Sequence, residues 1–340
     1  MQAPFASSMS LTKNLSTVLV VVGILIACYY PSAFSQLPEY AIQTDVVYGG
    51  GQVKASAQPA TRNLLLDAYF PVAGGETSRL NPAVILAFGG AFHRGDKGDF
   101  HFNEDGASDS SMADYCMALV QRGFACFSIE YRLTPEDPVF PDHFDQSILM
   151  PKALLESPIV TGRVEFVRKK MGLPPLNGRS RERLWNATFA AVEDMEVALN
   201  FVRSNASVYN VDPARIAIGG FSAGAMTAIN LAYGAQADVQ AVVALSGTNW
   251  GHALDKTVTE TAPPLLLFAG QWDLPGIRRG SAYIVNLLQS RGVAVSQAWV
   301  PGFGHFYPMQ APSLSAQFEK VSIIDRLTHF LNENLRVRSG

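Results

Sequence analysis

The chain predicts an α/β fold in which a mostly parallel, eight-stranded sheet carries helices on both faces. Three observations predict it. Short apolar runs rich in β-formers alternate with longer stretches of helical periodicity, the order expected of strands joined by crossover helices. The length of 340 residues, with 48% hydrophobic and 16% charged, suffices for one large core. Finally, Gly220-Phe221-Ser222-Ala223-Gly224 sets a serine between two glycines where an apolar run gives way to an alanine-rich helix.

The first segment differs from the rest. Lys13 precedes an apolar run from Leu15 to Ala27, followed by a more polar stretch with Pro31 and Ser32. The run is short for a membrane span and has the length of a secretory signal, so residues 1–35 are expected to direct export, leaving 36–340 as one catalytic domain. Ala33-Phe34-Ser35 resembles a cleavage site before Gln36, whereas Leu25-Ile26-Ala27-Cys28 resembles a lipobox that would lipidate Cys28 and tether the protein to a membrane. An uncleaved signal anchor is the third reading. The expected location is therefore secreted or periplasmic, or membrane-anchored as a lipoprotein.

Next come Asp45–Gly49 and Leu64–Phe70, an antiparallel beginning, and then six apolar runs: Ala83–Phe88, Ala125–Tyr131, Arg215–Gly219, Ala241–Ser246, Leu265–Ala269 and Ser296–Val300. Helical patterns fall at Met112–Arg122, Phe189–Arg203, Ala223–Tyr233, Ile277–Ser290 and Leu314–Leu335. In the last, Phe318, Val321, Ile324, Leu331 and Leu335 recur at helical spacing and predict a core-facing stripe. One connection breaks the rhythm: residues 137–186 hold six prolines, the basic run Arg168-Lys169-Lys170, and apolar Phe144, Ile148, Leu149, Leu154 and Leu155. Such an insertion reads as a lid or as a solvated decoration.

A formal charge of −3 provides no basic footprint for nucleic acid. Beyond Cys28, the cysteines are Cys116 and Cys126, one on a predicted helix and one on the following strand. They pair in an oxidising compartment or lie buried as free thiols; neither spacing suggests a metal site, and no cofactor is expected.

The serine motif requires partners. A turn at Ser222 needs little bulk at Gly220 and Gly224, and would expose the hydroxyl at a helix N-terminus. Gly302-Phe303-Gly304-His305 supplies a base just before the final helix; His93, His101, His143, His252 and His329 lack that setting. Asp273 follows the run Leu265–Ala269 and would orient His305, with Asp255 and Glu260 as alternatives. Phe88-Gly89-Gly90-Ala91-Phe92 follows a buried run, so the backbone N–H groups of Gly90 and Ala91, with that of Ala223, would face a developing oxyanion.

These residues together resemble the carboxylesterase and lipase branch of the α/β-hydrolase superfamily, from about Asp45 to the final helix. The resemblance is carried by Gly89-Gly90-Ala91-Phe92, Tyr131-Arg132-Leu133-Thr134-Pro135-Glu136, Asp212-Pro213-Ala214-Arg215-Ile216, the serine motif, Asp273 and Gly302-Phe303-Gly304-His305. It implies an α/β-hydrolase fold and a serine esterase, with Ser222 as nucleophile, acting on small or acylated esters without a cofactor. Two positions depart from the pattern: Phe88 stands where many relatives have His, and Ala225 where many have Gly. Phe92, Trp250, Trp272, Phe303, Phe306 and Tyr307 are candidates for an apolar pocket. A peptidase of the same fold, or a silent binding protein built on it, are the competing readings; Ala223 in place of Tyr, and the short N-terminal region, speak against the first.

Overall fold

The computed structural model describes residues 39–54, 59–72 and 80–335. The segment read as a signal, with Cys28, lies outside the described residues. Among those described, no helix is long and apolar enough to cross a membrane.

The chain opens with an antiparallel pair, β1 (Tyr40–Val53) and β2 (Ala60–Pro71), followed by β3 (Asn81–Ala87). A small hairpin, β4 (Asn103–Glu104) and β5 (Ala107–Ser108), leads into α1 (Met112–Val120) and β6 (Ala125–Ile129). After the insertion come β7 (Val211–Phe221), β8 (Ala241–Leu245), β9 (Leu265–Gly270) and β10 (Val295–Val300), and finally β11 (Pro312–Ser315) and β12 (Lys320–Ser322). The main sheet has ten strands in the order β1-β2-β6-β3-β7-β8-β9-β10-β11-β12. Pairing is parallel from β6 through β10 and antiparallel at both ends.

The central strands are covered, which explains why they read as unbroken apolar runs: Ala83 to Ala87 and Leu265 to Ala269 are fully buried. Each buried Leu, Ile or Phe there contributes about 1.5–3 kcal/mol. The helices have clear starts. Ser111 and Asp114 close a capping box on α1, and Asn177 and Ser180 do the same for α3 (Gly178–Ser204). The remaining helices are α2 (Pro158–Lys170), α4 (Ala223–Ile229), α5 (Pro275–Ser290) and α6 (Ile323–Asn334).

Two sequence expectations are corrected. The sheet has ten strands rather than eight, because residues 312–322 form a hairpin instead of the start of the last helix. Phe318, counted in the helical stripe, sits on that hairpin with φ 63° and 83% exposed. The helix begins only where Ser322 caps it, accepting from the Asp325 amide, and its buried stripe is Ile323, Ile324, Leu327, Phe330 and Leu331. The insertion is more regular than a loop: α2 and the first turns of α3 occupy much of it.

Cys116 and Cys126 are joined as a disulfide that pins α1 to β6, both residues fully buried. Arg132, 1% exposed, lies beside the equally buried Asp194 of α3, and also donates to Gln52 and Ala190 carbonyls. It thus ties β1 and α3 to the chain leaving β6.

Candidate active site

Every residue predicted for the site follows the carboxyl end of a parallel strand, where strand ends in such sheets leave a crevice. At the end of β7, Ser222 has φ 51° and ψ −112°, a conformation that costs a non-glycine residue about 1–3 kcal/mol. Its amide donates to the Leu245 carbonyl at 2.8 Å, which fixes the turn to the end of β8. The flanking glycines serve close approach: a Cβ on Gly220 would lie 2.3 Å from the Ala87 carbonyl oxygen, and one on Gly224 would lie 2.0 Å from it.

Ser222, His305 and Asp273 meet. Asp273 Oδ1 lies 2.7 Å from His305 Nδ1, and His305 Nε2 lies 2.9 Å from Ser222 Oγ. A carboxylate only accepts, so Nδ1 carries the proton and Nε2 is free to accept from the serine hydroxyl. Asp273 and His305 are both buried. Gly270 sets their approach, since a Cβ there would lie 1.8 Å from the Gly304 carbonyl oxygen. The steric need for glycine therefore falls on the acid's strand; Gly304 itself has room for a Cβ, and Gly302 serves a turn at φ 79°.

Sequence reasoning missed two supporting groups. Ser246 Oγ donates to Asp273 Oδ2 at 2.5 Å and lies 2.8 Å from the Tyr307 hydroxyl. With its single proton committed to Asp273, Ser246 must accept from Tyr307. Burial, and then the charge of Asp273, push the Tyr307 phenol well above its ordinary pKa, so it stays a donor. The Gly270 and Leu274 amides complete the set at 3.2 and 2.7 Å. The signal available in sequence was Ser246 at the end of its own apolar run, but a serine there reads equally well as a strand terminator.

The loop after β3 has three successive left-handed residues, Gly90 at φ 110°, Ala91 at 56° and Phe92 at 58°. The amides of Gly90 and Ala91 have no backbone acceptor among the described residues. The loop is held from behind. Tyr131 donates to the Phe88 carbonyl at 2.8 Å and stacks on the Phe88 ring at 4.4 Å, so an aromatic contact backs the loop at Phe88. Thr134 N donates to the Phe92 carbonyl at 2.7 Å. His93 Nδ1 lies 2.8 Å from the Ala91 carbonyl, and its Nε2 accepts from Arg168 of α2 at 3.1 Å. His93 was set aside in the sequence; nothing in its surroundings there marked it as the link between this loop and the insertion.

A narrow pocket adjoins Ser222, lined by Gly90, Ala91, Arg94, Phe102, Phe221, His305 and Phe306, with Arg163 and Val167 contributed by α2. Of the six aromatics considered from the sequence, Phe306 lines it. Trp272 is 68% exposed, Trp250 donates to Thr188 at 3.2 Å, and Tyr307 serves Ser246. The alternative acids Asp255 and Glu260 are exposed. Asp99, His101 and Asp114 place ligand-type atoms within 4.8 Å of one another. These groups are already engaged, His101 with Asp99 and the Asp109 carbonyl, Asp114 in the α1 cap.

A model of the BD-FAE family, an esterase family of α/β-hydrolase type, matches residues 179–263, which include the serine motif. Among solved structures, the chain is similar to MGS-M1, an α/β-hydrolase enzyme from a Medee basin deep-sea metagenome library, at TM-score 0.50 and 16% identity over 85% of this chain and 98% of that one. It is similar to a truncated carbohydrate esterase from gut microbiota at TM-score 0.53 and 18% identity, over 88% and 98%. It is also similar to the thermophilic esterase Est2 of the Planctomycetes species Thermogutta terrifontis, at 0.53 and 14%, over 90% and 96%. That esterase is known phosphorylated by paraoxon and with propionate bound. Comparison with curated proteins finds no match. The chain has the α/β-hydrolase fold, and the resemblance to esterases of that fold is borne out.

Proposed function

We propose that the protein is an exported serine hydrolase that cleaves carboxylic esters through an acyl-enzyme. The observation that carries this reading is the continuous relay from Ser222 Oγ through His305 to Asp273, with both hydrogen bonds within 2.9 Å. In the reaction His305 Nε2 takes the Ser222 proton as Oγ attacks the ester carbonyl, and Asp273 stabilises the imidazolium that forms. The carbonyl oxygen becomes an oxyanion that the N–H groups of Gly90, Ala91 and Ala223 receive, each worth about 3 kcal/mol in the transition state. His305 then gives its proton to the leaving alkoxide, and water, activated by the same nitrogen, releases the acid.

The esterase nature of the similar structures and of the matching family model supports ester hydrolysis, and the paraoxon-phosphorylated neighbour supports attack by an activated nucleophile. The propionate-bound neighbour and the narrow pocket favour a short acyl group. In this reading the insertion acts as the lid, since Arg163 and Val167 of α2 wall the pocket. The buried disulfide suits an oxidising compartment, in keeping with removal of residues 1–35 on export, or with a tether through Cys28.

The test is hydrolysis of p-nitrophenyl esters of increasing acyl length by the protein and by Ser222→Ala. Turnover that is highest for the shortest chains and falls at least about 10⁴-fold in the variant is expected. Equal turnover by the variant removes the assignment.

A further inference from the structure

We infer that the Ser222 pocket recognises esters carrying a negative charge close to the scissile bond, with Arg94 and Arg163 as its anion-binding wall. The inference rests on the ester-hydrolase reading and narrows its substrate class. Both arginines line the pocket together with Ser222 and His305, and among the described residues no carboxylate does. Their charge is only partly compensated. Glu104, on β4, takes Arg94 at 2.6 Å, Lys170 at 3.0 Å and Arg163, while Asp105 lies 3.5 Å from Arg163. Three cations thus face two carboxylates, and the second of these is 42% exposed at its side chain. The cluster of Arg94, Arg163, Lys170, Glu104 and Asp105 therefore carries one net positive charge.

The donors are also in excess. A guanidinium has five N–H bonds and no acceptor, and Arg94 Nε is buried with no hydrogen-bond partner among the described residues. A buried donor left unmade is costly unless a ligand completes it. Aromatic rings hold the planes in place: Arg94 lies 5.0 Å from the Phe102 ring, and Arg163 lies 4.8 Å from Phe166 and 5.1 Å from Phe306. Phe102 and Phe306 line the same pocket, so they shield an ion pair formed there from water, where it is stronger than at the surface. The planar fork suits a carboxylate. Both arginines share the pocket wall with Ser222 and His305, which places the anion close to the reacting carbonyl. Arg163 comes from the insertion and Arg94 from the loop after β3, so the substrate's charge would be gripped between the lid and the body.

The experiment compares matched pairs, with each rate divided by that ester's own alkaline hydrolysis. Mono-4-nitrophenyl glutarate against 4-nitrophenyl butyrate reads an anion on the acyl side; 4-acetoxybenzoate against 4-acetoxybenzamide reads one on the alcohol side. At least one pair is expected to favour the anionic ester about tenfold in kcat/KM, with a KM that rises with salt for that ester but not for its neutral partner. In Arg163→Gln and Arg94→Gln the ratio falls toward one, and Arg163→Lys recovers part of it. Neutral esters cleaved in a Ser222-dependent way with no anionic preference in either pair would overturn the inference and leave the esterase reading standing. A preference that survives both glutamine variants would also overturn it, leaving the arginines as a latch on Glu104. No turnover of any ester would remove both.

Discussion

Asp273 shows how much of a triad lies outside the triad. Its carboxylate accepts from His305, Ser246, Leu274 and Gly270, and the chain of donors runs back to the buried Tyr307. Ser246→Ala removes one of those bonds and leaves the Tyr307 hydroxyl unpaired in the interior. It is expected to cost about 1–3 kcal/mol of stability by chemical denaturation, with a fall in kcat larger than any change in KM. Ser222, His305 and Asp273 were legible because each follows an apolar run and falls in an order the fold dictates. Ser246, Tyr307 and His93 were not, because their roles depend on contacts between loops far apart in sequence. Two buried histidines give a further consequence. Burial lowers His93 and His252 to about 4, and each is held neutral, His252 with its Nε2 unpartnered among the described residues. A histidine whose folded pKa lies below its unfolded value contributes fully above about pH 6.5 and loses that contribution as pH falls toward 4. Burial raises Asp109 to about 7 and Asp194 to about 6, and their linkage runs the other way, so the histidine's share is read against its own variant. The unfolding free energy in urea of the protein minus that of His252→Gln should fall by about 2 kcal/mol between pH 7 and pH 5, and a difference that does not change with pH would contradict the assignment.

At the scale of elements, the parallel strands were the most legible part, because burial on both faces makes them continuous apolar runs. The hairpin of β11 and β12 was hidden: Phe318, Val321 and Ile324 fall at helical spacing by coincidence, and only the cap at Ser322 separates turn from helix. The insertion was legible as an interruption but not as α2, whose apolar positions are few. Its part in the site came from Arg163, Val167 and Arg168, residues that on a helix surface read as solvated or merely packed. The α1–β6 disulfide was an open choice in the sequence, since spacing alone does not show that Cys116 and Cys126 sit 5.0 Å apart at Cα. Closing a loop of this length restricts the unfolded chain, so Cys116→Ala/Cys126→Ala is expected to unfold with about 2–4 kcal/mol less stability. Guanidinium melts check it.

Across the whole molecule, one rule gathers the chemistry. The ends of β3, β6, β7, β8, β9 and β10 deliver the 88–92 loop, Tyr131, Ser222, Ser246, Asp273 and His305 to one edge of the sheet, and α2 covers it. A larger, more open depression at the opposite ends of β3 and β7, lined by Asn81 and Arg215, contains none of these residues. The proposed chemistry stands or falls with Ser222 as the nucleophile. Titration with paraoxon reads this at the residue, with mass spectrometry locating the label and ester turnover followed in parallel. One diethylphosphoryl group per chain is expected, on Ser222, with activity lost in proportion to labelling and no label on Ser222→Ala. Undiminished ester hydrolysis by fully labelled protein, or by Ser222→Ala, would contradict it.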